Sequence, residues 1–88
     1  MKTVVVNKRL EKCDIYIGRP SLFGNPFKIG KDGTRAEVIE KYEAYARHEP
    51  RILANLETLR GKRLGCWCKP LACHGDVLVK LLEERDAQ

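Results

Sequence analysis

The sequence predicts a small α/β domain with the element order β-β-α-α-β-α, a short sheet with helices packed on it. Three observations carry that class. Two short β-branched or aromatic runs stand near the start, apolar residues recur at helical spacing in three stretches after Thr34, and a further apolar run from Arg63 separates the second stretch from the third. At 88 residues the chain has the length of a single domain spanning 1–88, near the low end where one core buries only modest apolar surface.

Thr3-Val4-Val5-Val6 and Asp14-Ile15-Tyr16-Ile17 are bounded by polar or Gly/Pro residues and read as the first two strands. From Gly18 to Gly33, Pro20, Pro26 and four glycines require a long loop, and Leu22, Phe23, Phe27 and Ile29 give it apolar groups that gain free energy only by packing down. Thr34-Arg35-Ala36-Glu37 is a capping box, in which hydroxyl and carboxylate each accept from the other residue's amide. The helix it starts carries Val38, Ile39, Tyr42, Tyr45 and Ala46 on one face and breaks at His48-Glu49-Pro50, because the residue before a proline is driven out of the α region. A second helix is expected from Pro50 with Ile52, Leu53, Leu56 and Leu59 as its stripe and Gly61 as its cap. Arg63-Leu64-Gly65-Cys66-Trp67-Cys68 then reads as a buried strand, and a third helix follows with Val77, Leu78, Leu81 and Leu82 on its inner face.

Apolar residues at 43% and charged residues at 33% describe a folded, soluble chain rather than a disordered or membrane one. No apolar run approaches the roughly 20 residues of a spanning helix and no signal peptide is evident, so a cytoplasmic location and a reducing environment are expected. In that setting clustered thiols are metal ligands or reactive groups more often than disulfides. A Cys66–Cys68 bridge would moreover be strained across one residue. The +5 net charge would favour polyanions such as nucleic acid or phosphorylated metabolites, but the bases are spread along the chain with acids interleaved in every helix, a pattern that a solvated surface also produces.

Three of the four cysteines fall between Cys66 and Cys73. On a strand, residues two apart share a face, so Cys66 and Cys68 present a natural ligand pair, and Pro70 turns the chain so that Cys73 and His74 at the next helix start can converge on them. Three sulfurs and an imidazole match a tetrahedral zinc set, although Cys-x-Cys and an adjacent Cys-His are unusual spacings. Zinc is the expected metal and an iron–sulfur cluster the lesser one, with Cys13 or water as other occupants of the fourth position. An alternative makes Cys73 or Cys68 a nucleophile, its thiolate stabilised at a helix N-terminus, with His74 as base. In the bland reading Cys66 is a small core residue and His74 caps the helix.

Gly18-Arg19-Pro20-Ser21-Leu22-Phe23-Gly24-Asn25-Pro26-Phe27 is the second informative stretch. Arg19, Ser21 and Asn25 supply a guanidinium fork, a hydroxyl and an amide that could grip a phosphate or base. Equally, Asn25 could bond local backbone in a turn while Phe23 and Phe27 plug the core. The third strand would deliver the cysteine loop beside this loop, forming one anion-receptive cleft at the sheet's C-terminal edge, where open α/β sheets tend to bind ligands.

Ile15-Tyr16-Ile17-Gly18-Arg19, Gly24-Asn25-Pro26-Phe27, Leu59-Arg60-Gly61-Lys62 and Cys66-Trp67-Cys68-Lys69-Pro70 with Cys73-His74-Gly75-Asp76 resemble a domain-of-unknown-function family of phage and bacterial proteins marked by a Gly-Asn-Pro-Phe motif. The likeness spans nearly the whole chain and implies a phage or prokaryotic origin and two characteristic sites, without a reaction; Cys13 lies outside its pattern. The leading expectation is thus a zinc-binding protein that binds or acts on a nucleotide or nucleic acid. Its rivals are a thiol-dependent enzyme for a small phosphorylated or nucleoside substrate and a phage protein that binds a host protein.

Overall fold

Strands β1 (Val4–Asn7), β2 (Ile15–Tyr16) and β3 (Arg63–Cys66) form a parallel sheet in the order β1-β3-β2, in a computed structural model that describes residues 2–88. Strand β3 lies at the centre, and Leu64, Gly65 and Cys66 are all buried there because an inner strand is covered on both faces. Val4 pairs with Arg63 and Asn7 with Cys66, while Ile15 pairs with Leu64 and Tyr16 with Gly65. All three carboxyl ends therefore emerge on one edge.

Lys8 to Asp14 links two strands that flank β3, so this segment crosses one face of the sheet. Cys13 packs its sulfur over Gly65 there, where a Cβ would stand 2.5 Å away. The helices cover the opposite face. Helix α1 (Arg35–Arg47) begins at the Thr34–Glu37 capping box, with Glu37 N donating to Thr34 Oγ1 at 3.2 Å and Thr34 N to Glu37 Oε1 at 2.9 Å. Glu49 and Pro50 open α2 (Pro50–Asn55), which tightens into a 3₁₀ turn over Leu56–Leu59 before Gly61 reverses the chain at a φ of 73°. Helix α3 (Gly75–Asp86) packs its N-terminus directly on the sheet. A Cβ on Gly75 would lie 2.7 Å from Ile17 Cδ1 and 2.9 Å from Val5 Cγ2, so only glycine lets the backbone come this close.

The core gathers Ile17, Tyr42, Ala46, Ile52, Leu56, Leu59, Leu64 and Leu78, each with no exposed surface, between the sheet and the three helices. Tyr42 is the one fully buried side chain of this set with a polar end, and its hydroxyl donates to Phe23 O at 2.7 Å. That bond pins the long loop to α1 and seats Phe23 in the core.

The element order agrees with the expectation, and the departures lie at the ends of elements. Strand β3 stops at Cys66, two residues earlier than expected, so Trp67 and Cys68 belong to a loop and strand alternation does not orient them. The second helix is shorter than its stripe suggested, because Leu56 and Leu59 are buried equally well by a 3₁₀ turn.

Candidate metal centre and its cleft

The segment between β3 and α3 is held in place from three sides. Asn7, the last residue of β1, donates from Nδ2 to Lys69 O at 2.7 Å and to Trp67 O at 3.4 Å. Arg35, in the first turn of α1, donates to Ala72 O at 3.1 Å. Asp76 accepts from Cys73 N at 3.1 Å and from Lys69 Nζ at 2.7 Å. Asn7 and Arg35 carried no functional signal in the sequence, because each acts on carbonyls more than 30 residues away.

Within that frame Cys66, Cys68 and Cys73 converge, their sulfurs all lying within 4.8 Å of one another. Cys66 and Cys73 are buried and Cys68 is partly accessible. Cys73 Sγ stands 2.8 Å from Cys66 Sγ. A tetrahedral ion with bonds of 2.3 Å to sulfur separates its thiolates by about 3.8 Å, a span that these separations bracket. The three soft donors can hold a metal ion. Cys13, laid over Gly65 on the other sheet face, is not one of the group.

The electrostatics of the sulfur pair are set by one shared hydrogen. The Cys73 thiol donating to Cys66, joined by the backbone amides of Cys68 and Lys69, draws the Cys66 thiol down against the opposing effect of burial. Cys73 is pushed up, first by that same bond and then by burial. The first proton therefore leaves the pair readily and the second is retained, unless a cation replaces it.

His74 stands beside the three sulfurs and outside their mutual group. Its Nε2 is 2.7 Å from Ile17 O and its Nδ1 is 3.5 Å from Cys73 Sγ. A carbonyl only accepts, so Nε2 bears the hydrogen and Nδ1 turns its lone pair toward Cys73. Burial lowers the His74 pKa, opposed by the Ile17 bond. The ring makes no helix cap, contrary to the bland reading of this residue. It rests edge-on against Tyr42, 5.0 Å between centroids.

The sulfurs and His74 form the floor of a cleft of about 580 Å³ at the carboxyl edge of the sheet. Tyr16, Phe27 and Trp67 contribute aromatic walls, and Arg19, Lys28 and Arg35 contribute cations, with no carboxylate among the lining residues. Such a volume suits a small organic ligand. Arg19 and Asn25 thus reach the same cleft as Cys73, while Ser21 does not line it. The Ser21 hydroxyl is buried without a partner. Asn25 is already engaged, its Oδ1 accepting from Phe27 N at 2.9 Å and its Nδ2 donating to Val38 O at 3.1 Å, so it shapes the wall as a turn residue.

A cysteine cluster floored under a cationic cleft, on a three-stranded parallel sheet, defines a small α/β protein with a potential metal centre. The chain belongs to the family described as Domain of unknown function (DUF4326), which it matches over residues 4–84. It is 40% identical over 83 residues to an uncharacterized 12.4 kDa protein in the nrdA-td intergenic region of Enterobacteria phage T4, an alignment covering 89% of this chain and 75% of that one. It is 33% identical over 101 residues to the uncharacterized protein R718 of Acanthamoeba polyphaga mimivirus, covering 91% and 77%. No solved structure matches it. Among the described residues no helix is long and apolar enough to cross a membrane.

Proposed function

We propose that the protein holds one zinc ion through Cys66, Cys68 and Cys73 and uses the cleft above it to bind or act on a nucleotide or nucleic acid. The observation that carries this reading is the convergence of three sulfurs in the floor of a cleft that has three cations and no carboxylate. Zinc replaces the hydrogen shared by Cys66 and Cys73, and the fourth position is open to His74 Nδ1 or to water. Bound zinc would supply Lewis acidity at the cleft floor. Arg19 provides a bidentate fork for phosphate, and the aromatic walls provide faces for a base. Elemental analysis of protein purified without chelator should find about one equivalent of zinc, with the thiols unreactive until it is removed. Folded, metal-free protein with freely reactive thiols would overturn the reading.

The 3.5 Å approach of His74 Nδ1 to Cys73 Sγ favours one rival, a thiol-dependent enzyme for a small phosphorylated or nucleoside substrate. In that case a single cysteine of the metal-free protein reacts far faster than the others in a thiol titration, and its substitution removes the fast phase.

A further inference from the structure

Charge is sorted across this molecule. On the helical side Glu43, Glu57, Glu84 and Asp86 are taken up in ion pairs with Arg47, Lys80, Arg60 and Arg85. At the carboxyl edge of the sheet, Lys8, Arg9, Arg19 and Lys28 have no carboxylate partner among the described residues. Four cations without an ion-pair partner thus gather around the edge where the cleft opens.

Trp67, the chain's one tryptophan, lies in the same place with 49% of its surface exposed. It is exposed and yet fixed. Its Nε1 donates to Tyr16 Oη at 3.2 Å, Tyr16 Oη donates to Arg19 O at 2.9 Å, and the two rings meet edge to face at 6.2 Å. Lys8 Nζ stands 4.7 Å from the Tyr16 ring centre and 5.5 Å from that of Trp67, and Arg9 Cζ is 5.6 Å from the indole. The Asn7 side chain ties the Trp67 loop to the turn that carries Lys8 and Arg9. A large aromatic left in water by packing, but held in one orientation among unpaired cations, has little side-chain entropy left to lose on binding.

We infer that Trp67 and Tyr16 form a stacking platform for single-stranded nucleic acid, whose phosphates rest on Lys8, Arg9, Arg19 and Lys28 as the strand crosses the mouth of the cleft. Exposed bases stack on an aromatic face while the backbone displaces counterions from the cations, and both halves of that chemistry are present here. An acidic peptide would use the cations and leave the indole idle. A duplex would hide its bases from the ring. The inference rests on the nucleic-acid part of the reading above and is independent of the metal.

Trp67 emission reports binding directly. Protein as purified, titrated with single-stranded DNA and RNA of about a dozen nucleotides, should show quenching, with log affinity falling against log salt at a slope of about −3 for four neutralised phosphates. In Lys8→Ala/Arg9→Ala the slope should fall to about −1.5. By anisotropy of a labelled strand, Trp67→Ala should bind about 5- to 150-fold more weakly, and Trp67→Phe should recover part of the loss. The platform is overturned if polyglutamate quenches as well as the strand, if duplex binds as tightly as single strand, or if Trp67→Ala binds unchanged. It also falls if a mononucleotide binds as tightly as the longer strand; in that outcome the cleft reading stands, and zinc content is scored separately.

Discussion

At the scale of single residues, the site depends on atoms whose ordinary chemistry is altered by their neighbours. Cys68 is the partly accessible member of the sulfur trio, and its replacement would leave two sulfurs, too few to hold the proposed ion firmly. Cys68→Ser, or chelation of the wild-type protein, should lower the melting temperature by about 10–20 °C. That figure is the scale of losing about 2–3 kcal/mol from a domain of this length. A melting curve unmoved after metal has demonstrably left would show that the ion is not structural. Arg19 is exposed at the rim with no carboxylate partner among the described residues. Arg19→Lys preserves the charge but removes the planar fork, so binding of a phosphorylated ligand should weaken in calorimetry while the unfolding transition stays in place.

At the scale of elements, the contact between α3 and the sheet decides where Cys73 and His74 sit. Gly75 meets Ile17 and Val5 at distances that leave no room for a methyl group, and the two preceding residues belong to the site. Gly75→Ala should cost about 1–3 kcal/mol by overpacking, despite alanine's higher helix propensity. The displaced helix should also reduce metal affinity, which a competition titration against a chromophoric chelator would measure. Equal stability and affinity in wild type and variant would mean that α3 shifts freely on the sheet.

At the scale of the whole molecule, the helical face is a network of exposed ion pairs joining α1, α3 and the 3₁₀ turn. Hydrogen bonds from Arg60 and Arg85 hold the Glu57 carboxyl down at about 2, those from Arg47 and Lys80 lower Glu43, and that from Arg47 lowers Glu84. A folded-state pKa below the unfolded value contributes stability that is present above the ordinary carboxylate pKa and is lost as pH falls through the folded one. Stability should therefore decline from about pH 4.5 toward pH 2, and Glu57→Gln should flatten part of that decline in acid unfolding curves. Because these groups are exposed, 1 M salt should shrink the difference between variant and wild type. A difference that persists unchanged in salt would place its origin elsewhere.

Much of the fold was legible because its signals are local. The Thr34–Glu37 cap, the break at Pro50, the β-branched runs and the apolar stripe of the last helix each act within a few residues, and so the element order could be read directly. The cysteine spacing likewise announced a cluster, since three thiols fall between Cys66 and Cys73, although the loop conformation that brings their sulfurs together was not legible. Tertiary structure alone decided the rest. It made β3 the central strand and laid Cys13 on the face away from the cluster, because sheet order depends on which strands share a covering layer. It committed Asn25 to the wall, left Ser21 outside the cleft, and recruited Asn7 and Arg35 to hold the loop, because their partners are carbonyls distant in sequence. It also arranged the charges: acids and bases that alternate along the chain form pairs across the helices, while Lys8, Arg9, Arg19 and Lys28, without such partners among the described residues, come together at one edge of the sheet. Electrostatic interaction follows distance in space, and only the folded chain sets those distances.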